Sequence, residues 1–204
     1  MRDVILQQYA VSLDGFSCAD VSEFQRYVQG VDDPVLDDIF LGGLRRAGTH
    51  IMGRATYLDM ARHWPPRQGP VADLMNSTPK VVFSHTLENA DWAGSRIASG
   101  DTGDEIARLK QEPGGDILAH GGFRFTQSLV SLGLVDAIRL FIFPVALGRG
   151  TSIFGGIDHP TEYELTTVRQ FPSGAVLHVL RPGSAAAWNR GASTEEDLQA
   201  EPST

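Results

Sequence analysis

The sequence has little that would mark a disulfide-rich, nucleic-acid-binding or membrane protein. Cys18 is its only cysteine, which excludes an internal disulfide and a thiolate zinc cluster. Lys and Arg number 17 against 25 Asp and Glu, and no basic run is present, so we expect no nucleic-acid partner. No apolar run approaches the about 18 residues that cross a bilayer, and the apolar start is too short for a signal peptide. These absences predict a cytoplasmic protein with no membrane partner.

The composition that is present predicts one globular domain. Hydrophobic residues make up 42% of the chain and charged residues 21%, and 204 residues can enclose one full hydrophobic core. From residue 183 the chain consists mainly of Gly, Ala, Ser and acidic residues, which have little to bury. We therefore predict a single domain over residues 1–182 and a flexible acidic tail over residues 183–204.

Short apolar runs with strand character alternate with segments whose apolar residues recur at helical spacing. The predicted strands are residues 4–10, 49–53, 80–84, 95–98, 116–120, 137–144, 162–169 and 175–181, and the predicted helices are 34–48, 54–61, 102–112 and 123–132. Thr102 and Glu105 form a capping-box pattern at the start of one helix. Residues 20–30 are predicted as a loop with a helical turn, and residues 72–77 as one more turn of helix.

This order of elements predicts the fold class. Strands and helices alternate through most of the chain, which favours parallel pairing with helices on the sheet. The last two strands follow each other across a short turn and favour an antiparallel hairpin. We predict a three-layer α/β/α sandwich with a central mixed, mostly parallel sheet that ends in this C-terminal hairpin.

Two glycine-containing junctions between a strand and a helix are the most informative feature. Residues 51–57 and 116–123 each run from an apolar strand through glycine into a helix. The first N–H groups of a helix have no intrahelical partner, and glycine lets a phosphate approach the backbone. Two such junctions favour a ligand with more than one phosphate, such as a dinucleotide. The Rossmann fingerprint is missing, because the first strand leads into Ser12-Leu-Asp-Gly15.

Six short motifs then follow one another along the chain: Ser12-Leu-Asp-Gly15, Gly53-Arg-Ala-Thr-Tyr57, Pro79-Lys-Val-Val-Phe-Ser84, Gly121-Gly122, Gly133-Leu-Val-Asp136 and Pro144-Val-Ala-Leu-Gly-Arg-Gly150. Each motif alone says little. The ordered set resembles the dihydrofolate reductase-like superfamily, in the RibD C-terminal branch typified by the pyrimidine reductase of riboflavin biosynthesis. The resemblance covers residues 4–181 and is less specific to one substrate than to the superfamily.

The resemblance implies an NADPH-dependent reductase whose cofactor lies across the strand ends. The matching positions are Gly53, Arg54 and Thr56 for a phosphate grip, Ser84, His85 and Thr86 for the adenosine 2′-phosphate, and Gly121, Gly122 and Phe123 for a diglycine turn before a helix. Many members have arginine where this chain has His85, which holds no fixed charge at neutral pH, so the choice between NADPH and NADH stays open. From the residues alone, these positions also suit tight strand exits, solvated helix starts and a polar turn.

Asp14 is the candidate catalytic residue, since in the riboflavin reductases the matching aspartate lies close to nicotinamide and substrate. It can donate a proton only if burial raises its pKa; otherwise it orients the substrate. The other interpretation is that Asp14 is a turn former before Gly15. We assign Leu13, Leu147 and Gly148 to substrate binding, although Leu147-Gly-Arg-Gly150 also suits a flexible connection.

Two alternative functions remain open from the sequence, dihydrofolate reduction and nucleotide binding without catalysis. Dihydrofolate reduction would place a carboxylate on the first long helix, where Asp37 and Asp38 lie, although charged helix residues are usually solvated. A non-catalytic nucleotide-binding module is the other alternative. The histidines show no paired ligand spacing, so we expect no metal site. The apolar strand 137–144 and the closing hairpin offer sheet surface for a homodimer.

Overall fold

A computed structural model describes residues 1–17, 21–152, 154–157 and 161–183. The strands are β1 Val4–Val11, β2 Ala47–Gly53, β3 Lys80–Phe83, β4 Ser95–Ile97, β5 Asp116–Ala119, β6 Ala137–Ile142, β7 Tyr163–Gln170 and β8 Val176–Pro182. The helices are α1 Ser22–Gln29, α2 Pro34–Arg46, α3 Arg54–His63, α4 Pro70–Ser77, α5 Thr102–Gln111 and α6 Phe123–Ser131. Most of the predicted strands and helices are thus confirmed to within a few residues.

All eight strands form one sheet in the order β4-β3-β2-β5-β1-β6-β8-β7. The first six strands in this order run parallel, and β8 pairs antiparallel with both β6 and β7. Parallel neighbours need a crossover, which the intervening helices provide for every pair except β3 and β4, whereas β7 and β8 are joined by a short turn. The prediction of a mixed, mostly parallel sheet with an antiparallel C-terminal hairpin is confirmed.

Helices cover both faces of the sheet because successive residues of a strand point to opposite sides. On β1, Val4 and Leu6 pack into a cluster that also contains Ile106 and Leu109 of α5. Ile5 points the other way, into a cluster that holds side chains of α2, α3 and α4. Each face thereby acquires its own apolar layer, which gives the three-layer arrangement. In the part of the chain that the structure describes, no helix is both long and apolar enough to traverse a bilayer.

Three local predictions need correction. Residues 22–29 form a complete helix, α1, because Phe24 and Val28 lie one turn apart and are both buried. The segment predicted as one turn at 72–77 is α4, which begins at Pro70. Asp101 caps α5, since its carboxylate accepts a hydrogen bond from the Gly103 N–H, so Thr102 is the first helical residue. Apart from Gly183, the predicted acidic tail lies outside the described residues.

Candidate active site

The carboxyl ends of β2, β3 and β5 meet at one edge of the sheet, where α3 and α6 begin. β2 lies between β3 and β5 and runs parallel to both, so the loops that follow these strands converge. They surround an open cleft of about 1250 Å³. Its lining includes every predicted cofactor residue except Thr86, namely Gly53, Arg54, Thr56, Ser84, His85, Gly121, Gly122 and Phe123.

At the first junction, β2 passes directly into α3 through Gly53. The backbone of Gly53 is extended, with φ −78°, and no side chain caps the helix. Glycine eases the packing here, because a Cβ at Gly53 would lie 3.1 Å from the Cβ of Phe125, a tight contact that small movements can accommodate. Arg54, the next residue, is exposed and forms no ion pair within the described part of the chain. Free first-turn N–H groups beside a guanidinium are well suited to a phosphate.

At the second junction, Gly121 and Gly122 connect β5 to α6. Gly122 has φ +116°, which only glycine adopts readily, and a Cβ there would collide with the Thr56 hydroxyl. That hydroxyl donates a hydrogen bond to the carbonyl oxygen of Gly121. Thr56 of α3 therefore contacts the second junction directly, and the two helix starts are fixed relative to each other.

A pair of histidines joins the strands that lead to these junctions. His50 on β2 and His120 at the end of β5 approach to 2.7 Å between Nδ1 and Nε2. Burial lowers the pKa of His120 to about 4 and holds that of His50 well below its ordinary value. Both rings are therefore neutral at pH 7, and one donates a hydrogen bond to the other. Local sequence patterns do not reveal this pair, because its members are 70 residues apart.

The predicted 2′-phosphate contact lies at the end of β3. Ser84 and His85 face the cleft, whereas Thr86 is not part of its lining. The Ser84 hydroxyl accepts hydrogen bonds from the N–H groups of Thr86, at 3.2 Å, and Leu87, at 2.9 Å. These hydrogen bonds form a small turn after β3, and of the three predicted residues Ser84 and His85 are the two that line the cleft.

A second cavity of about 830 Å³ adjoins the cleft on the α2 side of the sheet. It lies between α2, α3, α4 and the ends of β1 and β5, and most of its lining side chains are apolar: Tyr9, Phe40, Leu41, Leu44, Met60, Trp64, Val71 and Met75. Gln8, Met60 and Gly121 line both the cleft and this cavity. The two spaces therefore meet at the end of β5, which sequence reasoning had not foreseen.

Gln8 is a functional candidate that the sequence analysis missed. It is 9% exposed, and its amide donates a 2.8 Å hydrogen bond to the Ser17 hydroxyl. The pairing of β1 with β6 shifts between Gln8 and Val11, and Ala10 has φ +67°. Such irregularities often turn a side chain toward a site. The available signal was a pair of glutamines, Gln7 and Gln8, inside an otherwise apolar strand.

Two carboxylates of α2 lie at the mouth of the second cavity. Asp37 and Asp38 both line it and both are exposed. Partial burial, together with the charges of Asp33 and Asp32, raises the pKa of Asp37. Asp38 lies 3.4 Å from a guanidinium nitrogen of Arg45. The carboxylates considered for dihydrofolate reduction therefore do lie beside the cavity that adjoins the cleft.

Asp14 lies apart from both spaces. Its carboxylate accepts hydrogen bonds from the N–H groups of Leu147 and Gly148 and from the Ser12 hydroxyl. The Ser12 and Gly148 hydrogen bonds lower the pKa of Asp14 to about 2. The condition for proton donation by Asp14, a pKa raised by burial, is therefore not met. Neither Asp14 nor the predicted substrate residues Leu13, Leu147 and Gly148 are among the residues that line the cleft or the adjoining cavity.

The last feature of the site is its set of side chains that could bind a metal ion. Within the described residues, no three His, Cys, Asp or Glu side chains come together in a way that could hold a metal ion. The His50–His120 pair thus has no third ligand from this set in that part of the chain. The site is built from backbone N–H groups, arginine, amides and an apolar cavity.

Two proteins of Bacillus subtilis are similar in sequence to most of this chain. The protein of Bacillus subtilis (strain 168) named "Uncharacterized protein YyaP" is 31% identical over 177 residues, which cover 84% of this chain and 91% of that protein. A second protein of the same organism, "Uncharacterized protein YwjB", is 27% identical over 182 residues, covering 84% of this chain and 94% of the relative.

Solved structures with the same fold include two with names that refer to riboflavin biosynthesis or its enzymes. The putative riboflavin biosynthesis protein from Shewanella sp. PV-4 has a TM-score of 0.71 at 23% identity, covering 89% of this chain and 99% of that one. The diaminohydroxyphosphoribosylaminopyrimidine deaminase/5-amino-6-(5-phosphoribosylamino)uracil reductase from Thermotoga maritima has a TM-score of 0.63 at 18% identity, covering 89% of this chain and 57% of that one. The model of the RibD C-terminal domain matches residues 3–177, so this chain belongs to the RibD C-terminal domain family.

Proposed function

We propose that this protein is an NADPH-dependent reductase that transfers hydride to a carbonyl or imine group of a small heterocyclic or sugar-linked compound. The observation that carries the proposal is the contact between the polar cleft and the adjoining apolar cavity at Gln8, Met60 and Gly121. One space suits a dinucleotide and the other a small ring system. NADPH would supply the hydride, and the protein would supply binding, orientation and exclusion of water.

The cleft residues fit a dinucleotide phosphate chain. Arg54 and the free N–H groups at the start of α3 would bind one phosphate, and the backbone around Gly121 and Gly122 would approach another closely. A Cβ at Gly122 would occupy the space beside Thr56, so this part of the cleft depends on glycine. Ser84 and His85 lie where the resemblance places the 2′-phosphate contact, and His85 makes a preference for NADPH weaker than arginine would.

The adjoining cavity would hold the hydride acceptor. Its apolar side chains exclude water, which favours transfer over side reactions. Gln8 offers an amide at the boundary between the two spaces, where the acceptor group would lie. Among the described residues that line it there is no Lys or Arg, and Asp37 and Asp38 are at its mouth. A phosphate on the substrate, as in the compound named for the Thermotoga maritima enzyme, would therefore have to lie outside this cavity.

Asp14 enters this proposal as a positioning residue. Its hydrogen bonds to Leu147 and Gly148 fix the loop after β6 against the loop after β1. Leu13 is 70% exposed on that second loop and could contact a substrate that reaches beyond the cavity. Leu13, Leu147 and Gly148 would thus contact the outer part of a substrate. Asp14 would act indirectly, by holding their two loops together.

NADPH fluorescence titration followed by addition of candidate acceptors tests the proposal. We expect NADPH to bind and to be oxidised, and we expect Arg54→Gln to weaken binding about tenfold, since it removes a charge-assisted contact. Arg26→Gln removes the same charge from an exposed position on α1 and should leave binding unchanged. No binding, or equal binding by the two variants, would reject the proposed cofactor site. Binding without oxidation by any acceptor would instead support the non-catalytic module.

Dihydrofolate reduction is the second candidate, favoured by the position of Asp37 at the cavity mouth and by its raised pKa. A carboxyl group there could hydrogen-bond a heterocycle with N–H groups. We expect Asp37→Asn to reduce dihydrofolate turnover at least tenfold if this candidate is correct, without changing NADPH affinity. A cytoplasmic homodimer that shares the sheet surface of the strand 137–144 and of the closing hairpin remains a prediction, and sedimentation of the full chain would test the oligomeric state.

A further inference from the structure

We propose that a third cleft, which shares no lining residue with the cofactor cleft or the substrate cavity, binds a small oxyanion with phosphate or carboxylate groups. This arginine cleft has a volume of about 430 Å³ and lies between α2 and the faces of β6, β8 and β7. Its charged lining residues are Arg46, Arg139, Arg169, Arg181, Asp3 and Asp116. The site is independent of the proposed reductase function.

The buried guanidinium of Arg139 on β6 is the feature from which the proposal is argued. Arg139 is only 8% exposed, and its Nη1 donates a 2.7 Å hydrogen bond to the neutral side-chain oxygen of Gln7. Within the described ranges, no carboxylate lies within 4 Å of its guanidinium. Buried charges in proteins are normally paired, because taking an ion out of water costs several kcal/mol. A buried guanidinium that lines a cleft without an anionic partner points to an anion that comes from elsewhere.

The packing of α2 provides the space for this guanidinium. Gly43 lies in the interior of α2, where glycine costs about 1 kcal/mol relative to alanine. A Cβ at Gly43 would collide with Nη1 of Arg139 and with the side-chain oxygen of Gln7. The glycine thus creates the room that Arg139 and Gln7 occupy. The position of the buried charge is therefore part of how the helix packs on the sheet.

The surrounding charges leave the cleft positive. Arg181 is paired with Asp3 at 3.0 Å, but neither Arg46 nor Arg169 forms an ion pair with any described residue. Burial, assisted by the nearby charge of Arg46 and opposed by that of Asp116, lowers the pKa of Arg139 to about 10. Like charges that face one cleft are stabilised by an anion between them.

The cleft lies on the opposite side of α2 from the substrate cavity. Ile39, Gly43 and Arg46 face the arginine cleft, whereas Phe40, Leu41 and Leu44 face the cavity. The spacing of these two sets along the helix places them on different sides. An oxyanion bound here would neutralise Arg139 without touching the cofactor.

Calorimetric titration of the full chain with inorganic phosphate, and separately with succinate, tests the proposal at constant ionic strength. We expect saturable binding of at least one of them at one site of the wild type, and at least tenfold weaker binding by the variant Arg46→Gln/Arg169→Gln. The control Arg26→Gln/Arg67→Gln removes two exposed arginines elsewhere and should bind as the wild type does. Wild-type protein that binds neither probe, or equal binding by the two double variants, would overturn the proposal.

Two further variants separate this site from the cofactor cleft. Arg54→Gln should retain the phosphate binding assigned to the arginine cleft, and Arg46→Gln/Arg169→Gln should bind NADPH as the wild type does. Arg139→Met should raise the melting temperature in anion-free buffer, since it removes an unpaired buried charge, and should abolish the further rise that phosphate causes. Phosphate stabilisation that survives in Arg139→Met would contradict the proposal whatever happens with NADPH.

Discussion

The two strand-to-helix junctions of the cleft use glycine for different physical reasons. At Gly53 the backbone is extended and open to any residue, and glycine is favoured only because Phe125 packs 3.1 Å from the position of a Cβ. At Gly122 the backbone itself needs glycine, with φ +116°, and the Thr56 hydroxyl occupies the remaining space. The same residue type at equivalent places in the sheet therefore reports a packing requirement in one case and a conformational requirement in the other.

The largest effect should come from Gly122→Ala. Strain at φ +116° and the collision with Thr56 should lower the free energy of unfolding by about 3 kcal/mol and weaken NADPH binding more than tenfold. Urea denaturation and NADPH titration measure the two effects. Gly133→Ala is the matched control, because Gly133 has φ +65° with open space around it and should cost only about 1 kcal/mol. Equal losses in the two variants would mean that the collision with Thr56 adds nothing to the cost of a side chain at positive φ.

The next effect concerns pH and the histidine pair that joins the two junction strands. The folded-state pKa of His120, about 4, lies below the unfolded value near 6.5, so the unfolded state binds more protons in that interval. Stability is therefore fully present above about pH 6.5 and is lost as the pH falls toward 4, by about 3 kcal/mol. Denaturation at several pH values measures this slope.

His120→Asn should flatten the slope, whereas His63→Gln, which changes an exposed histidine at the end of α3, should preserve it. The carboxylate of Asp14 titrates at about 2 and lies outside this interval. A slope that is the same in His120→Asn and in the wild type would show that the pair does not stabilise the alignment of β2 and β5 in the neutral form.

A smaller effect is expected for Thr56→Val, which removes the hydrogen bond from α3 to the Gly121 carbonyl. The loss should be about 1 kcal/mol, since the carbonyl is only partly buried and water can replace the hydroxyl. In a double-mutant cycle of Thr56→Ala with Gly122→Ala, the two losses should be less than additive, because truncating Thr56 at Cβ removes the hydroxyl with which the new methyl would collide. Strict additivity would mean that strain at φ +116° alone accounts for the cost of Gly122→Ala.

The smallest effect should be that of Gly53→Ala. The new methyl needs only a few tenths of an ångström of movement at Phe125, and the extended backbone is open to alanine. Reduced entropy of the unfolded chain offsets the contact, so the free energy of unfolding should change by less than about 1 kcal/mol. NADPH affinity should fall no more than a few-fold. A loss as large as that of Gly122→Ala would contradict the packing interpretation of Gly53.

Local patterns predicted most of the fold because each strand and helix has its own apolar spacing and its own breakers. Pro34, Gly133 and the turn before β8 are signals that can be read within a few residues. The helix α1 was underestimated because only Phe24 and Val28 mark its buried side, and eight residues give few repeats of the pattern. The capping residue of α5 was misplaced by one position because Asp101 and Thr102 are both good caps.

The two glycine junctions that border the large cleft could be predicted from the sequence, whereas most contacts between them could not. The hydrogen bond between Thr56 and Gly121, and the one between His50 and His120, each join residues more than sixty positions apart. No local spacing encodes such distances, which depend on the order of strands in the sheet. Asp14 shows the reverse case, since its position before Gly15 could be read, but its N–H partners after β6 could not.

The outermost strand has a consequence for how copies of the protein can meet. β7 is exposed along almost its whole length, and Val168 is 58% accessible to solvent. The pairing register of β7 with β8 shifts between Leu165 and Thr167, and such an irregularity bends the edge strand near its middle. A strand of a second molecule can therefore pair regularly with β7 only over short stretches on each side of this register shift. Growth of the sheet into fibres by edge-to-edge pairing is disfavoured.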